Sequence, residues 1–104
     1  HLVVIDCGSL GRIGELSEYA DRADTIVNID HHSTHDLFGD VNLIDEQTSS
    51  SGELVFGVLN QADVELTSEI AQCLYTAIMT DTGRFSYSNT TRSAFHICGQ
   101  LVLI

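Results

Sequence analysis

The tetrapeptide Ile29-Asp30-His31-His32 constrains this chain more than any other feature. It closes the apolar run Thr25-Ile26-Val27-Asn28-Ile29, and short apolar runs of this kind form buried strands. In open α/β folds the carboxyl ends of such strands are where ligands bind. A carboxylate followed by two imidazoles is costly to desolvate at such an edge unless something compensates it, and a divalent cation would do so.

Two further apolar runs share the pattern of ending in aspartate. Leu2-Val3-Val4-Ile5 leads to Asp6, and Val41-Asn42-Leu43-Ile44 leads to Asp45. Their β-branched content supports strands. Helical spacing fills much of the remainder. Leu10, Ile13, Leu16, Ala20 and Ala23 recur at intervals of three and four. Ser50-Ser51-Gly52-Glu53 fits a capping box, with Ser50 as N-cap, ahead of Leu54, Val55, Val58 and Leu59. Thr67 is placed to cap a helix with Ile70, Cys73, Leu74, Ala77 and Ile78 on one face. Asn89 or Thr90 would cap a last helix carrying Ala94, Ile97, Cys98, Leu101 and Val102. Strand, helix, strand and then further strand and helices predict an α/β fold, a parallel sheet flanked by helices and covered on both faces.

At 104 residues the chain allows one domain. Its first residue, His1, falls within a strand pattern, and its last four, Leu101-Val102-Leu103-Ile104, are apolar. Both ends therefore read as cut, and residues 1–104 as part of a longer domain, incomplete at both ends. No apolar run approaches a membrane span. Fifteen acidic residues against four arginines give a formal net charge of −11, so this chain alone would repel nucleic acid. Carboxylates converging on divalent cations would cancel part of that charge. Cys7, Cys73 and Cys98 make neither a zinc pattern nor a disulfide framework. Cys73 and Cys98 fall on apolar helix positions, as core thiols of a reducing, cytoplasmic compartment would.

If the strands run parallel, Asp6, Asp30, Asp45 and the His pair reach one sheet edge, a donor set suited to Mn²⁺ or Mg²⁺. A second polar cluster, Thr80-Asp81-Thr82-Gly83-Arg84-Phe85-Ser86-Tyr87-Ser88-Asn89-Thr90-Thr91, follows the third predicted helix. Gly83 permits a sharp turn there, and the hydroxyls lead into a helix N-terminus, where anions are favoured.

Together these motifs resemble the DHH phosphoesterases. Ile29-Asp30-His31-His32 matches the signature that names the family, Val4-Ile5-Asp6 its preceding Asp motif, and Thr80-Asp81-Thr82-Gly83-Arg84-Phe85 with Ser88-Asn89-Thr90-Thr91 its later one. The form Thr-Asp-Thr-Gly-Arg-Phe is most similar to the oligoribonuclease and 3′-phosphoadenosine 5′-phosphate phosphatase branch, the nanoRNases, with RecJ-like exonucleases as relatives. The resemblance implies a two-metal phosphoesterase using Mn²⁺, with Mg²⁺ or Co²⁺ as alternatives. Asp6 would bridge the two ions, and His31 and Asp81 would complete the protein ligands of one. His32 would face the substrate phosphate, Asp30 would orient an imidazole from behind, and Arg84 would meet the substrate. The expected partner of the full-length protein is a short RNA or a nucleotide, with no membrane and a possible homodimer.

The sequence also departs from the family. Its first motif, a His followed by two spaced Asp residues, should precede Asp6, and only five residues do. The substrate-gripping domain that follows in the family, and that can bring positive charge, is not among these residues either. The piece alone is therefore expected to be inactive. Alternatives are a cyclic dinucleotide phosphodiesterase or pyrophosphatase of the same superfamily, or a non-catalytic acidic α/β binding module. Asp45 reads as a turn or cap residue, His35 as an exposed loop residue and not a ligand, His96 as a surface or boundary residue, and Phe85 and Tyr87 as core or loop-anchoring residues, with stacking on a base as the alternative. Arg12, Arg22 and Arg92 read as solvated charges.

Overall fold

A computed structural model describes all residues, His1–Ile104. The chain forms two compact units, His1–Glu46 and Gln47–Ile104.

The first unit is a three-stranded parallel sheet, β1 (Leu2–Ile5), β2 (Ile26–Asp30) and β3 (Val41–Ile44), in the order β1-β2-β3. The register aligns Val3 with Val27 and Val41, and Ile5 with Ile29 and Leu43. All six therefore share one face, and Val4, Asn28 and Asn42 share the other. Burial on both faces holds at the central strand, where Asn28, Ile29 and Asp30 are buried. On the outer strands Val3, Ile5, Val41 and Leu43 are exposed. These four residues share one face, so the expectation of cover on both faces fails there, while Val4 on the other face is buried.

The helix expected over residues 10–23 is different in kind. Leu10–Arg22 winds in 3₁₀ turns and breaks at Gly14, whose φ of 63° and ψ of −132° are not helical. Gly11 and Gly14 each weaken a helix, and long 3₁₀ runs do not sustain themselves. Only Ala20 of the apolar stripe is buried, and Leu16 is exposed. The β2–β3 connection contains no helix at all. It is fastened at its far end by Asp40, whose Oδ2 accepts from the Ile26 amide at 2.8 Å. A two-way clasp between the Asn42 carboxamide and the Gly39 backbone adds bonds of 2.7 and 3.0 Å.

The second unit is helical: α1 (Ser51–Gln61), α2 (Ser68–Asp81) and α3 (Arg92–Leu101). Ser50 caps α1 by accepting from the Glu53 amide at 3.3 Å, and Thr67 caps α2 by accepting from the Ile70 amide at 3.4 Å. The cap of α3 is Thr91, not Asn89 or Thr90, accepting from Ala94 at 3.0 Å. Ala71, Leu74 and Ile78 of α2 pack with Ala94, Ile97, Cys98 and Leu101 of α3 as the core. Cys98 is a core thiol as expected, but Cys73 lies on the exposed side of α2. Phe85 stacks on Phe95 with ring centroids 5.2 Å apart and meets Tyr75 edge-on at 6.3 Å, so it anchors its turn to the helices. No helix is long and apolar enough to cross a membrane.

Candidate metal centre

The parallel register brings the ends of β1 and β2 side by side. Asp6 follows β1, and its amide donates to the Ile29 carbonyl at 2.9 Å. Its φ is 63°, a left-handed conformation that L-residues other than Asn, Asp and Gly avoid. That bend ends the strand and turns the carboxylate toward the His pair. The Asp6 Oδ1 lies 3.5 Å from the His31 Nε2. The candidate donor atoms of Asp6, His31 and His32 all lie within 4.8 Å of one another.

Asp30 stands behind them and is fully buried. Its Oδ1 accepts from the His31 amide at 2.9 Å and meets the His32 Nδ1 at 2.7 Å. A carboxylate can only accept, so this imidazole carries a proton on Nδ1, and in its neutral form the lone pair lies on Nε2. One buried carboxylate thus sets both the backbone at His31 and the tautomer of His32. Its other oxygen, Oδ2, is buried without a hydrogen-bond partner. The rings of His31 and His32 lie 4.7 Å apart, tilted by 44°.

This donor set fits a divalent cation. Two ligands sharing one ion with bonds of about 2.1 Å are separated by roughly 3.0 to 3.4 Å, close to the spacing between Asp6 and His31. A charged hydrogen bond would be shorter, about 2.8 Å. The orphaned oxygen of buried Asp30 also leaves negative charge that a cation would offset.

The turn bearing Asp6 is held on several sides. The Gly8 carbonyl accepts from the Asp36 amide at 2.8 Å. A Cβ on Gly8 would lie well inside contact distance of the Thr34 carbonyl oxygen, so the loop after the His pair packs directly on the glycine. The carboxamide of Asn28 reaches the same turn from β2. Neither Gly8 nor Asn28 was singled out by the sequence pattern, although an Asn inside an apolar strand run is a legible anomaly.

Other candidates fall outside the donor group. Asp45 follows β3, with its amide bonded to the Asp30 carbonyl at 3.2 Å, and is not one of the three clustered donors. The half-buried Cys7 donates its thiol to the Ser9 carbonyl. His35 is half-buried rather than exposed, with Nδ1 buried and unpartnered. His96 is exposed on α3.

Asp81 and Arg84 belong to the second unit. Asp81 is the last residue of α2, and the turn after it is organised by Thr82, which is fully buried. The Thr82 hydroxyl donates to the Ile78 carbonyl at 2.7 Å and accepts from the Phe85 amide at 3.2 Å. Its carbonyl accepts from Ser86 and Tyr87 at 2.9 and 3.0 Å. Gly83, Arg84 and Phe85 all have positive φ, of 56°, 58° and 63°. Three consecutive left-handed residues make a tight reversal that leaves the Arg84 side chain exposed. The Asn89 amide bridges the carbonyls of Asp81 and Ser49, each at 3.1 Å, which explains why it does not cap α3. Glu53 is buried and accepts from the Ser49 amide, the Ser49 hydroxyl and the Thr91 hydroxyl. Burial, with the nearby Glu53 charge, raises the pKa of the Cys98 thiol.

Comparison with known proteins decides the family. The family model of the DHH family, N-terminal domain, matches residues 1–78. The chain belongs to the DHH family. It is similar to the bifunctional oligoribonuclease and PAP phosphatase NrnA of Thermus thermophilus, 35% identical over 77 residues that make up 74% of this chain and 24% of that protein. It is also similar to the probable enzyme of the same name from Streptococcus mutans, 33% identical over 97% of this chain and 32% of that protein. Among solved structures, an exopolyphosphatase-related protein from Bacteroides fragilis superposes with a TM-score of 0.84 at 31% identity, over 97% of this chain and 31% of that one. The chain therefore spans about a quarter to a third of the length of these DHH relatives.

Proposed function

We propose that the intact protein carrying this chain is a metal-dependent phosphoesterase acting on short oligoribonucleotides or on nucleotides such as 3′-phosphoadenosine 5′-phosphate. The observation that carries the reading is the Asp6, His31 and His32 donor group braced by buried Asp30. The names of the relatives supply the substrate class.

Asp6 and His31 would hold a divalent ion, Mn²⁺ by preference, with one hard oxygen and one imidazole donor. Such an ion supplies charge to neutralise the phosphate, acidify an attacking water and stabilise the leaving oxygen. His32 presents its Nε2 lone pair as an acceptor for a proton or a further donor, because Asp30 keeps the proton on Nδ1. Asp30 would hold that ring in place, as carboxylates behind metal-site imidazoles do. The family pattern, rather than any distance, adds Asp81 to the ligands and Arg84 to the substrate contacts.

The test is hydrolysis by the intact protein of a short oligoribonucleotide, 3′-phosphoadenosine 5′-phosphate, a cyclic dinucleotide and pyrophosphate, each with and without Mn²⁺. Mn²⁺-dependent turnover of the first two, abolished in Asp6→Ala and Asp81→Ala, is expected. Preference for the cyclic dinucleotide or pyrophosphate moves the protein elsewhere in its superfamily, and no Mn²⁺-dependent turnover removes the enzymatic reading.

A further inference from the structure

Asn28 is the outlier of the sheet. It sits at the middle of the central strand, fully buried, within a run of apolar residues. A buried carboxamide there is retained only if its bonds do something an apolar side chain would not. Its Nδ2 donates to the Cys7 carbonyl at 3.0 Å and to the Val4 carbonyl at 3.4 Å. Both partners are carbonyl oxygens, which only accept, so the amide nitrogen must face them. Its Oδ1 is left buried without a partner. The donor half of this group is therefore satisfied at the expense of its acceptor half.

The two carbonyls it holds flank Asp6. Val4 lies two residues before it and Cys7 immediately after it. Between them the backbone takes the left-handed bend at Asp6 that aims the carboxylate at His31. Aspartate tolerates this left-handed conformation, and a backbone held on both sides of it keeps the bend in one arrangement. We infer that Asn28 is a positioning residue for the metal centre: its amide clamps the backbone on both sides of Asp6 and so fixes the spacing of Asp6 from His31. This inference rests on the metal-centre reading. It couples the two motifs through one side chain, since Asn28 lies two residues before Asp30 on the strand that delivers the His pair.

The register supplies a matched control. Asn42 is the β3 partner of Asn28, on the same sheet face, but its carboxamide clasps Gly39 and touches nothing of the Asp6 turn. The experiment compares Asn28→Leu and Asn42→Leu in the intact protein. Mn²⁺ affinity is read by calorimetry, and exchange of the Asp6 backbone amide is read by hydrogen exchange in metal-free protein. Thermal unfolding of the metal-free protein records how much structure each change costs. Asn28→Leu is expected to weaken Mn²⁺ binding at least tenfold and to speed Asp6 amide exchange, while Asn42→Leu lowers stability without either effect. If the leucine variant is too unstable to measure, Asn28→Ala removes the donor without adding bulk or charge and carries the same expectation. Wild-type Mn²⁺ affinity in the Asn28 variants, or a loss no greater than that in Asn42→Leu, overturns the inference. Absence of a Mn²⁺ site in the wild-type protein instead overturns the metal-centre reading beneath it.

Discussion

Replacing Gly8 with Ala is the sharpest single perturbation of the first unit, because the side chain it adds is one carbon. That carbon would collide with the backbone carbonyl of Thr34, which cannot swing aside as a side-chain tip would. The loop after the His pair must retreat, and the bond from the Asp36 amide to the Gly8 carbonyl, now 2.8 Å, is stretched or lost. Overpacking of this kind costs about 1 to 3 kcal/mol, and a lost backbone hydrogen bond about 1 kcal/mol more. The total is roughly 2 to 4 kcal/mol. The retreat also moves the His pair relative to Asp6, so Mn²⁺ affinity should fall with stability. Gly11→Ala provides the contrast, since a Cβ there meets nothing within 4 Å. It should be neutral or stabilise by about 0.5 kcal/mol by restricting the unfolded chain. Urea unfolding of the intact protein and calorimetric Mn²⁺ titration measure both variants. A Gly8→Ala protein within about 0.5 kcal/mol of wild type, with unchanged Mn²⁺ affinity, would refute the packing argument.

Other expectations follow from the same structure. Asp30→Asn replaces the acceptor that holds His32 in one tautomer, and should cut Mn²⁺ affinity or turnover by about 10- to 100-fold while the protein stays folded; wild-type values for both would contradict that role. Gly83→Ala places a Cβ at a φ of 56° and against the Tyr87 ring, and should cost about 1 to 2 kcal/mol in urea unfolding. Cys73 should react with iodoacetamide well before Cys98, and mass spectrometry of partly labelled protein would show the order. Because burial and Glu53 raise the Cys98 pKa in the folded state, the stabilisation is present below the free-thiol pKa of about 8.5. It is lost as pH rises toward the higher folded value. Cys98→Ser should flatten that alkaline decline.

The strands were legible because their apolar runs are short, β-branched and closed by Asp, and the helix caps Ser50 and Thr67 because their hydroxyls stand directly before periodic apolar positions. The 3₁₀ segment was not, since Leu10, Ile13, Leu16, Ala20 and Ala23 keep helical spacing while Gly11 and Gly14 undermine the helix. Cys73 kept apolar spacing too, but α2 buries a narrow face through Ala71, Leu74 and Ile78. Thr91 displaced Asn89 as a cap because Asn89 is engaged by two carbonyls distant in sequence. In the candidate site, the donors Asp6, His31 and His32 were legible as chemistry. What braces them was not. The left-handed bend at Asp6, the close approach at Gly8 and the clamp from Asn28 arise from the parallel register, which brings residues 4–8 beside residues 28–36.

The central claim is that Asp6 and the His pair form a metal-binding group in this DHH protein. Calorimetric titration of Mn²⁺ into the intact protein and its Asp6→Ala variant tests it most directly. The account predicts a tight site in the wild-type protein that the variant loses. No tight site in the wild type, or the same site in both proteins, would contradict it.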